Sequence, residues 1–217
     1  MPLLSDIEFG ALAVYSPRDP GPTSLLSRNV CIAVKQDGYL TIGGQRVRVI
    51  PRMVTRLRER IEGTGLQAFF AGQPILVPAP RSSLIKADSL YPAKVICDEL
   101  RRQEFGSEVR VLLERTTAVR KAATAPAGER PTAQEHFDSL RVAPELARPA
   151  SILVVDDVIT SGTMLLASVS RLKEVFPQTQ VRAFALIRTM SQGPIEQIYE
   201  LCTGTIARRG ERCVRVP

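Results

Sequence analysis

A chain of 217 residues with 44% apolar and 24% charged residues has the balance of a globular protein that buries one sizeable core, which excludes a disordered chain or a string of small modules. The formal charge of +7 calls for an anionic partner, yet aromatic residues make up only 5% and no basic run is interleaved with stacking rings, so nucleic acid has no motif in its favour. Phosphorylated metabolites satisfy the same charge.

The opening residues Met1-Pro2-Leu3-Leu4-Ser5-Asp6 bring an acid before any sustained apolar stretch, so the expectation is a cytoplasmic protein with neither signal peptide nor membrane span. A helix is expected over Ser24 to Lys35, then a hairpin from Tyr39 to Val49 turning at Gly43-Gly44. A second helix carries Met53, Val54, Leu57 and Ile61 on one side and arginines on the other. Residues 1–72 read as an added layer, a hood, over a core and tail at 73–217.

Four apolar runs read as buried parallel strands: Ile75 to Val77, Val109 to Leu113, Ile152 to Val155 and Phe184 to Ile187. Between the first two, Ala93, Ile96, Cys97 and Leu100 recur at helical spacing; between the last two, Leu165, Val169, Leu172 and Phe176 do the same. Such alternation means an α/β fold, an open and mainly parallel central sheet flanked by helices on both faces. Residues Arg115 to Arg130 hold no lasting apolar period and read as a long loop; in the tail, Pro194 to Cys202 reads as a helix. Cys31, Cys97, Cys202 and Cys213 lack the C-x-x-C spacing of a zinc site and read as reduced packing or surface residues.

The strongest chemical signal is Ile152-Leu153-Val154-Val155-Asp156-Asp157-Val158-Ile159-Thr160-Ser161-Gly162-Thr163-Met164. A buried strand delivers two carboxylates and then a hydroxyl-rich turn that opens a helix. Gly162 lets the backbone approach a ligand closely, and successive amides at a helix start face an anion. Adjacent carboxylates past a strand end suit the two hydroxyls of a ribose. A receiver domain also places acids after an apolar strand, but that pair comes early in its fold, and Thr160-Ser161-Gly162-Thr163 is unlike it.

A second strand ends in Pro78-Ala79-Pro80-Arg81-Ser82-Ser83, a stiffened turn carrying a cation and two hydroxyls that suits pyrophosphate. A third segment, Glu114 to Ala122, supplies Arg115, Arg120 and Lys121 at the mouth of the long loop. His136, the one histidine, has no nucleophile fixed beside it and reads as a surface or packing residue.

The Asp156 to Met164 segment resembles the phosphoribosyl pyrophosphate (PRPP) fingerprint of the type I phosphoribosyltransferases, and the Arg81 turn resembles the pyrophosphate loop of amidophosphoribosyltransferases and ComF-type competence proteins. Met164 departs from the small or hydroxyl residue usual there, and neither the ComF zinc ribbon nor a glutaminase domain is present. The resemblance implies the type I fold with an N-terminal hood and transfer of a phosphoribosyl group to a nitrogenous base or amine. Asp156 and Asp157 would hold the ribose, and Thr160, Ser161, Gly162, Thr163 and Met164 the 5-phosphate. Arg81, Ser82 and Ser83 would hold pyrophosphate, with Arg115, Arg120 and Lys121 as catalytic lid cations. Mg2+ would arrive with PRPP, with no direct protein ligand. The resemblance also leaves open a non-catalytic PRPP sensor or a ComF-like accessory in nucleic-acid handling, and has room for a homodimer.

Overall fold

The structure is a computed structural model and describes residues 3–84, 89–120, 130–144, 148–190 and 193–216. The apolar runs of the sequence become strands buried on both sides. In β7 (Ser151–Ile159) Ile152 and Val154 face one core, while Leu153 and Val155 face the other. In β8 (Gln180–Thr189) Ala183 and Ala185 oppose Phe184 and Leu186 in the same way, the period of two expected when both faces are covered. β4 (Ile75–Pro78) completes the set.

One six-stranded sheet has the order β10-β9-β1-β8-β7-β4. The run from β1 (Asp6–Tyr15) through β8 and β7 to β4 is parallel, whereas β9 (Tyr199–Arg209) and β10 (Arg212–Val216) extend it antiparallel. Here α1 (Pro22–Lys35), α2 (Val49–Arg60), the short α3 (Gln67–Phe70) and α4 (Pro92–Arg102) contribute to one core; α5 (Ala133–Asp138) and α6 (Thr163–Val175) contribute to the other. The fold is therefore α/β, with a mainly parallel central sheet flanked by helices. None of the described helices is long and apolar enough to cross a membrane.

Three expectations change. Residues 6–15 lie inside the main sheet, parallel to β8, and so are not part of an added layer. The run Ala11-Leu12-Ala13-Val14 is fully buried, and that apolar burial places it at the sheet centre. The tail at 194–202 is not helical: β9 begins at Tyr199 and covers the edge that β1 would otherwise expose. Segment 109–113 is not a full strand. Glu108 O accepts from Leu76 N and Arg110 N donates to Leu76 O (2.9 and 3.0 Å), a single parallel bridge, after which the chain turns into β5 (Leu113–Arg115) paired antiparallel with β6 (Leu140–Val142). The hairpin of β2 (Tyr39–Ile42) and β3 (Gln45–Arg48) does turn at Gly43-Gly44, both at positive φ (56° and 78°). All four cysteines are free.

The chain leaves β4 through α4 toward the outer bridge at Val109, and leaves β7 through α6 toward the inner strand β8, on the opposite face. The carboxyl ends of β4 and β7 therefore meet at a topological switch point, where open α/β sheets form ligand crevices.

Candidate functional site

A cavity of about 540 Å³ lies at that switch point, a volume in the range of small-ligand sites. On its β4 side, Tyr91 donates its hydroxyl to the carbonyls of Pro78 and Ala79 (3.2 and 3.0 Å), fixing where the strand ends. Arg81, Ser82 and Ser83 follow on the cavity wall. Arg81 Nη1 is buried without a hydrogen-bond partner among the described residues, a cationic donor in want of an acceptor.

Opposite, β7 carries Asp156 and Asp157 into the cavity. Val158 N donates to Asp157 Oδ1 (2.8 Å), orienting that carboxylate. Burial, and then the charge and hydrogen bond of Asp157, push Asp156 well above the usual carboxylate range, while Lys35 pulls the other way. Lys35, in the last turn of α1, lines the same cavity. The sequence did not single it out, since no spacing rule connects a helix end at residue 35 with a strand end at residue 156. Burial also pushes the Cys31 thiol up, so it stays a neutral packing group.

Next comes the turn. Gly162 has φ +85° and is the N-cap of α6, and no side chain caps the helix. The amides of Thr163, Met164 and Leu165 are thus the donors that a first helical turn leaves without an intrahelical acceptor. Thr160 and Ser161 are exposed, Ser161 Oγ lies 2.8 Å from Thr163 Oγ1, and all of Thr160 to Met164 line the cavity. This is a preformed anion cradle. The C-terminal strands prop it: a Cβ on Gly162 would come within 2.7 Å of Ile206 of β9, and Arg215 of β10 donates to the carbonyls of Ile159 and Thr189.

The loop cations divide. Arg120 lines the cavity, and Lys121 lies outside the described residues. Arg115 is not on the wall. It sits in β5 at 8% exposure, and its guanidinium donates to Arg81 O and Ser139 Oγ and reaches Met164 Sδ (3.5 Å). Burial pulls it down to about 10, still cationic at neutral pH. It braces the Arg81 turn against α6 and does not reach for a ligand, because an arginine withdrawn from water must spend its donors on protein acceptors. At the mouth of the loop, Val119 N donates to Ser82 O (2.9 Å).

His136 is not at the surface. It is 5% exposed and lines the cavity from α5, whose start is fixed by a capping box between Thr132 and Glu135. Burial, then the nearby Arg115 charge, lowers its pKa from 6.5 to about 4. The unfolded chain therefore binds the proton first, so this group's contribution to stability falls as pH drops from 6.5 toward 4. The expected loss is about 3 kcal/mol over that window. Comparing urea unfolding of wild type and His136→Phe at pH 4.5 and 7 checks it: on going from pH 7 to 4.5 the stability of the variant relative to wild type should rise. Asp156, which works in the opposite sense, cancels in the difference.

Among the described residues, no group of three or more His, Cys, Asp or Glu side chains comes together to hold a metal ion. No protein-family model matches the chain, and no curated protein sequence does. Among solved structures it is similar to a hypoxanthine phosphoribosyltransferase from Staphylococcus aureus, with TM-score 0.32 and 13% identity over 69% of this chain and 70% of that one. It is also similar to the adenine phosphoribosyltransferase of Leishmania tarentolae, with TM-score 0.36 and 13% identity over 80% and 90%. Likeness at that level bears on neither ligand nor activity.

Proposed function

We propose that this chain is a type I phosphoribosyltransferase, which binds PRPP and transfers its phosphoribosyl group to a nitrogen nucleophile. What supports the reading is one observation: two segments remote in sequence, 81–83 and 156–164, which between them suit the three parts of that ligand, line a single cavity. Thr160 to Met164 would hold the 5-phosphate, Asp156 and Asp157 the ribose hydroxyls, and Arg81 with Ser82 and Ser83 the pyrophosphate. In the reaction the C1–O bond breaks with its electron pair leaving on pyrophosphate, a C1–N bond forms, and the nucleophile's proton goes to solvent or to the pyrophosphate.

Mg2+ would arrive already held by pyrophosphate and ribose oxygens, with no direct protein ligand, while Asp156 and Asp157 accept from the ribose hydroxyls. When bound, that ion offsets charge on the departing group. The protein's own part is to hold both ends of the ligand so that C1 is presented at a fixed place, and to meet the leaving group with Arg81 and Arg120. Lys35 gives the acidic pair a counter-charge before the ligand arrives.

The test is pyrophosphate release from PRPP and Mg2+ with a panel of bases and amines, alongside calorimetric PRPP binding. Release with at least one acceptor is expected, with affinity for pyrophosphate lowered about tenfold or more in Arg81→Ala by loss of a charge-assisted bond. Absence of PRPP binding rejects the reading. The burial of Arg115 leaves fewer cations at the leaving-group end than the sequence promised, which favours, as a second reading, a PRPP sensor without turnover. Binding with no release across the panel selects it.

A further inference from the structure

His136 is the one histidine of the chain, and it stands where an imidazole is hard to justify as packing alone. It is nine-tenths buried, it lines the cavity, and its Nδ1 is buried with no hydrogen-bond partner among the described residues. With Nδ1 shut away from solvent, Nε2 is the ring nitrogen left to meet a ligand. The neighbouring charges are Arg115 from β5 and Glu135 on its own helix; Arg171 of α6 lies over the ring of Phe137 instead. Arg115 touches both the Arg81 turn and Met164, its charge acts on His136, and His136 lines the cavity that both walls bound.

We propose that His136 contacts the ligand, donating a hydrogen bond from Nε2–H to a phosphoryl oxygen; this rests on the phosphate-site reading above. The tautomer follows from the surroundings. A proton on Nδ1 would find no acceptor among the described residues, so the ring keeps its lone pair there and its proton on Nε2. The imidazole is then a neutral donor: it recognises a phosphoryl oxygen without adding a further positive charge to a wall that already holds Arg81, Arg120 and Arg130.

Because the chain has a single histidine, one pair of imidazole nitrogen signals reports on it alone. The experiment titrates the full chain with inorganic pyrophosphate and, separately, with ribose 5-phosphate, following long-range proton–nitrogen correlations and, in parallel, calorimetry. The free protein should show the Nε2–H tautomer at pH 7. One of the two ligands should move the Nε2 signal saturably, with the dissociation constant that calorimetry gives, and so identify which phosphoryl group the ring reaches. His136→Phe should weaken that ligand about tenfold, the worth of one hydrogen bond, and leave the other unchanged, while His136→Gln, which keeps a donor, should lose less. Imidazole signals unmoved at saturation with both ligands, or wild-type affinities in the Phe variant, overturn the proposal and leave the phosphate site standing. Failure of either ligand to bind removes both.

Discussion

Replacing Asp156 and Asp157 together by asparagine should weaken PRPP binding by about two orders of magnitude or more, while the protein becomes more stable at neutral pH. The binding loss follows from replacing two charged acceptors, whose hydrogen bonds to ribose hydroxyls are worth about 1.5–3 kcal/mol each, by neutral amide oxygens worth about 0.5–1.5 kcal/mol. The gain in stability follows from the raised Asp156 pKa. Its folded-state value lies well above 3.8, so the folded chain holds a proton that the unfolded chain has lost, and stability falls as pH rises from 3.8 through the folded value. At pH 7 the buried Asp156 carboxyl is therefore a burden that asparagine removes. Calorimetric titration with PRPP and Mg2+, set beside a thermal melt, separates the two effects. Weaker binding with a higher melting temperature is the expected pairing, and a fall in both would mean that the acids serve the fold. A stabilising change that removes binding is what a strained ligand site leads one to expect.

The second large effect belongs to Gly162. Its φ of +85° is a region that L side chains rarely adopt, and the missing Cβ leaves room for Ile206. Gly162→Ala combines backbone strain of about 1–2 kcal/mol with overpacking of about 1–3 kcal/mol. The variant should lose about 2–4 kcal/mol of stability, and it should bind ribose 5-phosphate at least about tenfold more weakly as the turn moves off its strand. Urea unfolding and calorimetry check both numbers. The double variant Gly162→Ala with Ile206→Ala supplies the control. If the contact is the cause, the second change should restore part of the binding, with a coupling of about 1 kcal/mol or more. Additive losses would mean that the strand behind the turn is irrelevant to it.

The sequence disclosed those parts of the molecule whose physics is local. A strand buried on both faces must be a continuous apolar run, so Ile152 to Val155 and Phe184 to Ile187 were readable, and the acids and glycine turn after the first of them placed the cradle. β1 carries an equally clear run in Ala11 to Val14, but its neighbours lie more than 160 residues away, and small alanines gave no period by which to place it at the sheet centre. β9 was misread because Ile195, Ile198 and Cys202 happen to fall at three and four residue spacing. In the fold those residues straddle a bend and a strand that is half-buried along most of its length, and such a strand shows no alternation.

The same distinction runs through the site. Arg81, Asp156, Asp157 and Thr160 to Met164 announce themselves by sitting at strand ends within short segments. Lys35 and His136 do not, because each reaches the cavity only through helix packing, α1 over β7 and α5 on α6. Arg115 shows the reverse error. Its place at a loop mouth suggested a mobile cation, but the short β5 and β6 pairing draws it inside, where Ser139 and the Arg81 carbonyl use its donors.

The central claim is that the turn after the acidic pair is a ready-made phosphate cradle, and backbone amide signals of the full chain titrated with ribose 5-phosphate test it most directly. The amides of Ser161, Gly162, Thr163 and Met164 should shift together and saturably, while that of Gly63, in a remote turn, stays still. Saturation of the protein with those four amides unmoved would contradict the account.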